Sequence, residues 1–395
     1  TVMIPTSVKF GESKEDAVNS IQEEMSIENE GSEEGEMESK PYIEPDYYTG
    51  CSRKNKDTGT VYAHNRIVFG APGTGKSFKL NDEQKDLISE GGEYERVTFH
   101  PDYSYANFVG TYKPVPTKNG ISYEYVPGPF MRTYVKAIEN GQSENKEDVK
   151  PFLLLIEEIN RANVAAVFGD IFQLLDRDET GESEYFIATS KELQEYLIKE
   201  FKDVELSEEV SNKELGGRPE QYDEIKIPDN MYIWSTMNSA DQGVFPMDTA
   251  FKRRWNFEYI GINHKEEKIK DTYLVCDKAQ VPYRVDWNEL RKAINTTLAS
   301  RDYKINEDKL MGPFFVSKSI LENEDAFRET FKSKIIMYLF EDAAKQRRHM
   351  LFGGCDEDIR NQYSTICEEF DKRGIDIFCK EIRDKIKKEY LSELE

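Results

Sequence analysis

An eight-residue stretch at positions 70–77 constrains this chain more than any other part of its sequence. It reads Gly-Ala-Pro-Gly-Thr-Gly-Lys-Ser, it follows the apolar run 67–69, and a helix is expected to begin at Lys76. Glycines allow a backbone to curl until its amide groups point at one spot, and a helix N-terminus adds a dipole that favours negative charge. The pattern therefore predicts a phosphate-binding loop between a strand and a helix.

The residues of this loop have separate expected roles. Lys76 is expected to reach the β and γ phosphates of a nucleotide, and Ser77 to ligate Mg²⁺. A glycine-rich turn without a ligand is the alternative, and the strand and helix on either side disfavour it. The rest of the nucleotide cradle would be formed by Gly70, Ala71, Pro72, Gly73, Thr74 and Gly75.

Two adjacent carboxylates, Glu157 and Glu158, follow the apolar run 152–156. Such a run is typical of a buried strand, and ligands of open α/β folds bind at the carboxyl ends of these strands. Glu157 is expected to assist the Mg²⁺ ion, and Glu158 to orient or deprotonate the attacking water. Asp is usual at the first position, so Glu157 is a departure, and its longer side chain leaves a water-mediated contact with the metal open.

The alternation of short apolar runs with longer amphipathic stretches after residue 66 predicts an α/β fold with a parallel sheet. The charged stretch 190–228 is predicted to be an insertion before the fourth core strand. After about residue 262 strand alternation is lost, and 287–298 and 327–350 are predicted to be helical, which indicates a smaller helical lid domain. The five predicted core strands are 67–69, 96–99, 152–156, 232–236 and 257–260.

These patterns divide the chain into three parts. Residues 1–50 are predicted to be an acidic, disordered tail or linker, because residues 1–46 carry thirteen Asp or Glu against three Lys. Residues 60–262 would form the nucleotide-binding domain, with insertions near 103–149 and 179–228. Residues 263–395 would form the helical lid and C-terminal region.

Composition narrows the classes of partner. A net charge of −23 does not attract a phosphate backbone, so any DNA contact is expected through a confined basic patch or another subunit. The five cysteines show no CxxC spacing, which indicates reduced thiols in a cytoplasmic protein. No apolar run approaches the roughly 20 residues that span a bilayer.

Several separate motifs resemble the McrB-type AAA+ NTPases, the motors of modified-cytosine restriction systems of bacteria and archaea. The resemblance extends over about residues 65–352. The motifs are Phe-His-Pro-Asp-Tyr-Ser-Tyr at 99–105, Gly-Pro-Phe at 128–130, Glu-Glu-Ile-Asn-Arg-Ala-Asn at 157–163, Ile-Pro-Asp-Asn at 227–230 and Thr-Met-Asn-Ser-Ala-Asp at 236–241.

This resemblance implies a function and a set of partners. The subunits would form a homo-oligomeric ring, expected to be a hexamer, and would hydrolyse GTP or ATP with Mg²⁺. Hydrolysis would drive DNA translocation for a McrC-like endonuclease subunit that performs the cutting. DNA recognition is expected in that partner or in a domain outside this sequence, and no membrane contact is expected.

The resemblance also implies site residues beyond the loop and the carboxylates. Asn238 would be a polar sensor of the γ phosphate and the attacking water. Asp241, in the same string, is a candidate nucleotide-binding residue, with a turn or helix cap as the alternative. Arg253 and Arg254 lie where AAA+ subunits present an arginine to a neighbour's active site. The sequence does not choose between these two arginines.

Two further segments allow both packing and contact roles. Tyr103, Tyr105 and Phe108 could stack on nucleic-acid bases, although packing within the domain is favoured. Gly312 and Pro313 are predicted to form a bend in the lid, where the sequence gives no ground for a catalytic role.

Two other functions share the predicted fold. A MoxR-like or dynein-related ATPase would remodel protein complexes without DNA dependence. A nucleotide-gated scaffold with slow turnover is the other, because Glu157 departs from the usual Asp and a displaced Mg²⁺ would weaken charge stabilisation. The motifs at 99–105 and 157–163 favour the restriction motor.

Overall fold

The computed structural model of the chain describes residues 45–117, 120–143, 145–201, 222–238, 244–278 and 281–391. The acidic segment 1–44, most of the second half of the predicted insertion (202–221) and Asp241 lie outside the described residues. None of the described helices is both long and apolar enough to cross a membrane.

The strands are numbered along the described chain. They are β1 Asn65–Gly70, β2 Glu93–Thr98, β3 Gly110–Thr117, β4 Gly120–Pro127, β5 Phe152–Glu157, β6 Ile187–Ala188, β7 Glu224–Ile225, β8 Met231–Asn238, β9 Asn256–Tyr259, β10 Tyr273–Lys278, β11 Val281–Asp286 and β12 Glu389–Tyr390.

The α-helices fall into a longer and a shorter group. The longer helices are Lys76–Leu87, Pro129–Gly141, Lys191–Glu200, Trp287–Leu298, Glu324–Thr330 and Tyr363–Arg373. The shorter helices are Tyr105–Phe108, Val164–Phe168, Thr249–Lys252, Lys318–Leu321, Arg348–Leu351 and Lys380–Arg383.

The core is a five-stranded parallel sheet in the order β2-β5-β8-β1-β9. Two of its three inner strands, β5 and β8, are buried along most of their length, as expected for strands covered on both faces. All five predicted core strands are confirmed. Side chains from the strands and from the helix Lys76–Leu87 pack into one apolar cluster, which includes Val68, Leu80, Leu153 and Trp234.

The strand order places three predicted functional segments at one edge of the sheet. β1 ends at Gly70, β5 at Glu157 and β8 at Asn238, and the register pairs Gly70 directly with Asn238. Because parallel strands end on the same side, the phosphate loop, the carboxylate pair and the sensor meet there.

The C-terminal region contains a sheet that the sequence analysis missed. β10, β11 and β12 form a three-stranded antiparallel sheet beside the helices. The inward residues Leu274, Cys276, Tyr283 and Val285 are fully buried and alternate with more exposed outward residues. The prediction that strands end after about residue 262 was therefore wrong, because each alternating stretch is short and interrupted by charge.

The helices of this region follow the prediction more closely. The predicted helix at 287–298 coincides with Trp287–Leu298. The predicted helix at 327–350 corresponds to Glu324–Thr330, which continues through the π-helical turns Phe331–Ile336 and Leu339–Ala343 and is followed by Arg348–Leu351.

The end of the predicted acidic tail is packed against the core. The carboxylate of Asp229 accepts hydrogen bonds from the Thr49 and Gly50 backbone amides at 2.9 and 2.7 Å. Asp229 is 1% exposed, so an ordered segment begins before residue 50.

Candidate active site

The phosphate loop adopts a tightly curled backbone before the helix Lys76–Leu87. Gly73 and Gly75 have φ angles of 76° and 89°, a left-handed conformation that favours glycine. A Cβ on Gly73 would lie 2.4 Å from the Phe315 backbone nitrogen, so no larger residue fits there. Inside the loop, Thr74 Oγ1 donates to the Ala71 carbonyl at 2.9 Å.

Lys76 fills the centre of the loop. Its Nζ donates to the carbonyl oxygens of Gly70 and Ala71 at 3.0 and 2.9 Å. Burial lowers the pKa of Lys76 to about 8, against the opposing effect of the nearby carboxylates Glu158 and Glu157. The ammonium group is thus partly desolvated beside the loop, where a phosphate oxygen would form a stronger, charge-assisted hydrogen bond.

The predicted metal ligands Ser77 and Glu157 are in direct contact. Ser77 Oγ donates to Glu157 Oε2 at 3.0 Å, and Thr236 Oγ1 donates to the same oxygen at 2.6 Å. Arg96 on β2 approaches the other oxygen, Oε1, at 3.9 Å. The longer side chain of glutamate therefore reaches the serine without a bridging group.

Glu158 lies beside the predicted sensor. Asn238 Nδ2 donates to Glu158 Oε1, and Asn160 Nδ2 donates to the Asn238 carbonyl at 2.7 Å. Glu158 has a φ of 55°, which is uncommon for a residue with a side chain and is concentrated at functional sites. Its backbone amide donates to Thr236 Oγ1 at 3.0 Å. The two adjacent carboxylates therefore have different partners, Ser77 and Thr236 for Glu157 and Asn238 for Glu158.

Thr236 is a site residue that the sequence analysis missed. Its hydroxyl links the two carboxylates, since it donates to Glu157 and accepts from the Glu158 amide. The signal was available, because Thr236 opens the same string that supplied Asn238.

The two candidate arginines differ sharply in exposure. The Arg254 side chain is 7% exposed and the Arg253 side chain is 66% exposed. Both follow the helix Thr249–Lys252, which is capped by Asp248. Arg254 is bound within its own chain, since its Nη1 donates to the Ala250 carbonyl at 2.7 Å. Arg253 is the one that a neighbouring molecule can reach.

A cavity of about 980 Å³ adjoins the phosphate loop and was not predicted. Thr74, Gly75 and Phe78 contribute one wall, and Lys268 and Phe314 from the C-terminal region contribute to the other. Lys268 Nζ lies 5.1 Å from the centre of the exposed Phe78 ring. An aromatic ring and cationic groups next to a phosphate loop suit a nucleoside.

The lid segment touches the loop directly. The Gly312 amide donates to the Pro72 carbonyl at 2.9 Å, and the Phe314 amide donates to the Gly73 carbonyl at 2.7 Å. A Cβ on Gly312 would lie 2.4 Å from the Gly73 carbonyl carbon, so the close approach requires glycine. The predicted bend at Gly312 and Pro313 is thus also a contact with the nucleotide site.

Of the three aromatic residues near position 105, Tyr103 and Phe108 serve as packing groups, whereas Tyr105 is exposed. Phe108 is fully buried, with ring centroids 4.8 to 5.6 Å from those of Phe99, Phe130 and Phe168. Tyr103 stacks on Phe99 at 4.6 Å. The packing role favoured from the sequence accounts for both side chains.

Comparison with known proteins places these features in a family. The model of the AAA domain (dynein-related subfamily) matches residues 65–255. The type II restriction enzyme BsuMI component YdiS of Bacillus subtilis (strain 168) is 38% identical over 335 residues, which is 78% of this chain and 85% of that protein. The type IV methyl-directed restriction enzyme EcoKMcrB subunit of Escherichia coli (strain K12) is 29% identical over 249 residues, or 61% of this chain and 46% of that subunit.

The family match covers the elements that form the site. Residues 65–255 include the phosphate loop, both carboxylates, Asn238 and both arginines. The expected parallel α/β core is also present. The chain therefore belongs to the McrB-like AAA+ NTPases.

Proposed function

We propose that this chain is the NTP-hydrolysing motor subunit of a McrBC-like restriction system. One observation carries the proposal: Ser77, Glu157, Glu158 and Asn238 form a continuous contact network through Thr236, next to Lys76 and the phosphate loop. Both named relatives belong to restriction enzymes, which supports the assignment to DNA restriction.

The residues present fit a magnesium ion. Ser77 Oγ and the Glu157 carboxylate are hard oxygen ligands that already touch each other, and Mg²⁺ commonly takes only one or two protein ligands together with substrate phosphates. When bound, the ion would neutralise charge on the β and γ phosphates. The direct contact of Glu157 with Ser77 favours hydrolysis over the slow scaffold.

The side chains then divide the chemistry among themselves. Lys76 binds the phosphates with its ammonium group, which is held inside the loop. Glu158 accepts a proton from the attacking water, or orients that water, from the carboxyl edge of the sheet. Asn238 fixes Glu158 through its amide nitrogen and presents a polar group near the γ phosphate.

The cavity beside Phe78 and Phe314 is the proposed place of the nucleoside. Its wall of aromatic and lysine side chains accommodates either purine, so both GTP and ATP stay candidate substrates. The lid closes this cavity through the contacts of Gly312 and Phe314 with the loop.

The exposed Arg253 supports a ring in which each subunit completes its neighbour's site. An arginine supplied in trans neutralises transition-state charge and contributes a factor of about 10³ to 10⁵ in rate. The proposed assembly is a hexameric ring that translocates DNA for a McrC-like endonuclease. With a net charge of −23, the chain would meet DNA through that partner or another domain.

The second candidate is a protein-remodelling ATPase. The matched domain model is that of the dynein-related subfamily, which supports this alternative as well. The two functions share the hydrolytic site and differ in what stimulates it.

The deciding experiment measures steady-state phosphate release from GTP and ATP at matched concentrations. It is run alone, with the product of the neighbouring gene, and with DNA. Stimulation by that product and by DNA, together with oligomerisation on nucleotide binding, supports the restriction motor. Hydrolysis unaffected by either addition supports remodelling, and negligible turnover under all conditions would indicate the scaffold.

A further inference from the structure

Both arginines of the 248–255 segment converge on one carboxylate oxygen. Asp176 Oδ2 lies 2.7 Å from Arg254 Nη2 and 3.7 Å from Arg253 Nη2. The first distance is that of a charge-assisted hydrogen bond, and the second is an ion pair beyond hydrogen-bond length. Asp176 has no part in the site described so far.

Arg254 is fixed from several sides. Its Nη1 donates to the Ala250 carbonyl at 2.7 Å, and its guanidinium carbon lies 4.0 Å from the centre of the Phe172 ring. With its side chain only 7% exposed, Arg254 cannot reach another subunit without unpacking. It serves as a permanent partner for the Asp176 charge.

Asp176 is attached to the same frame. Its carbonyl accepts from the Glu184 amide at 2.8 Å. Asn65, at the start of β1, donates to the carbonyls of Leu175 and Arg254 at 2.8 and 3.3 Å. The Asn65 side-chain amide thus connects β1, which leads to the phosphate loop, with Leu175 and Arg254. These two residues are the chain neighbours of Asp176 and Arg253.

We propose that Asp176 is the positioning residue for Arg253. This inference rests on the proposed function, in which Arg253 acts on a neighbouring subunit's nucleotide. Asp176 keeps the exposed guanidinium near the segment's surface, while Arg254 takes up most of the Asp176 charge. The remaining attraction holds Arg253 only loosely, so a triphosphate with several negative charges can capture it.

The charge on Asp176 has a second effect. Arg253 and Arg254 are adjacent cations, and without a carboxylate between them their guanidinium groups repel each other. Since Arg254 is enclosed, the displaced group would be Arg253. A displacement of about 1 Å at a reacting centre can reduce the rate about 10²-fold.

The test compares Asp176→Asn and Asp176→Ala with Arg253→Ala in the full chain. The expected result for both Asp176 variants is a fall in kcat of about 10- to 100-fold with KM within about twofold. Asp178→Asn is the matched control, because its carboxylate accepts hydrogen bonds from the turn at Thr180 and Gly181 instead of pairing with Arg253 or Arg254. That control should leave kcat unchanged.

A mixing experiment separates positioning from damage within the variant's own site. Asp176→Ala subunits keep a complete set of cis residues, and Glu158→Gln subunits keep a correctly held Arg253. Mixed oligomers then contain interfaces that combine the two intact halves. Phosphate release above the sum of the separate variants is expected, and Arg253→Ala subunits should behave in the same way.

Each outcome has a distinct meaning. Normal kcat in both Asp176 variants, with Arg253→Ala inactive, would overturn the positioning role and leave the proposed function intact. Loss of kcat without recovery on mixing would also overturn it, since the defect would lie in cis. Normal kcat in Arg253→Ala would remove the premise that Arg253 acts in trans, and with it this inference.

Discussion

The carboxyl edge of the sheet and the arginine segment are built in opposite ways. At the edge, Ser77, Glu157, Glu158 and Asn238 are joined by hydrogen bonds within the chain. In the arginine segment, Arg254 is enclosed, whereas Arg253 extends into solvent with 66% of its side chain exposed. The first arrangement can bind and orient a nucleotide by itself. Arg253 in the second arrangement extends outward, where its role would require another molecule. A site divided in this way is what the proposed ring requires, in which one subunit completes the site of its neighbour.

The strongest test of this contrast removes the exposed arginine. Arg253→Ala should lower kcat by about 10³-fold or more, because the transition state loses a cation supplied from the neighbour. Steady-state phosphate release measures the effect, with nucleotide affinity expected to be nearly unchanged. Arg254→Ala is the matched variant, and it should lower the thermal midpoint instead, since it leaves Asp176 without its main partner. Reversed behaviour of the two variants would break the comparison.

The next largest effect is expected at the carboxyl edge of the sheet. Glu158→Gln should lower kcat by about 10²- to 10⁴-fold, because an amide cannot accept the proton of the attacking water. Nucleotide binding and oligomerisation, measured by titration and light scattering, should persist. Lys76→Ala is the contrasting variant, for which tight nucleotide binding should be lost. Normal turnover in Glu158→Gln would remove that residue from catalysis.

A smaller effect is expected at the contact between the lid and the loop. Gly312→Ala places a methyl group 2.4 Å from the Gly73 carbonyl carbon, so the segment must move off the loop. Such overpacking costs about 1–3 kcal/mol, and we expect weaker nucleotide binding together with a lower thermal midpoint. Gly261→Ala is the control, since nothing lies within 4 Å of its Cβ position. Equal binding by both variants would mean that the lid contact does not support the nucleotide.

The smallest effect is a pH dependence of binding. The pKa of Lys76 is lowered to about 8, and bound phosphates favour the charged ammonium, so the pKa must rise on binding. Affinity should therefore be level below pH 8 and fall as the pH rises above it, by at most about tenfold per unit. Calorimetry in two buffers should detect proton uptake near pH 8 to 9. The fall of affinity with pH should persist in the Lys79→Met variant. If the parent chain shows no such fall, the assignment of Lys76 as the phosphate-binding group is contradicted.

The sequence predicted the parts of the fold that depend on continuous patterns. β5 and β8 contain continuous apolar runs with clear boundaries, and the phosphate loop has a fixed spacing of glycines. β10 and β11 were missed because their period-two alternation is short and carries Asp277 and Arg284 on the outer face. A charged residue at an outward position is equally compatible with a helix and with a strand, so it does not distinguish between them.

The site was predictable to the extent that it lies at strand ends. Glu157, Glu158 and Asn238 lie at the ends of parallel strands, so their position at one edge of the sheet was predictable from the sequence. Their direct contact also depends on the pairing of β5 with β8. The cavity beside Phe78 and the pairing of Asp176 with the arginines could not be predicted, since both join segments that are distant in the chain. The choice between Arg253 and Arg254 likewise required the exposure of each side chain, which the sequence of two adjacent arginines does not reveal.

The hydroxyl groups around Glu157 are already turned in the direction that a cation requires. Ser77 and Thr236 both send their single proton toward Glu157 Oε2. A hydroxyl that has given its proton elsewhere offers only lone pairs on its other side. A cation that binds on that side of Ser77 would therefore be met by oxygen lone pairs.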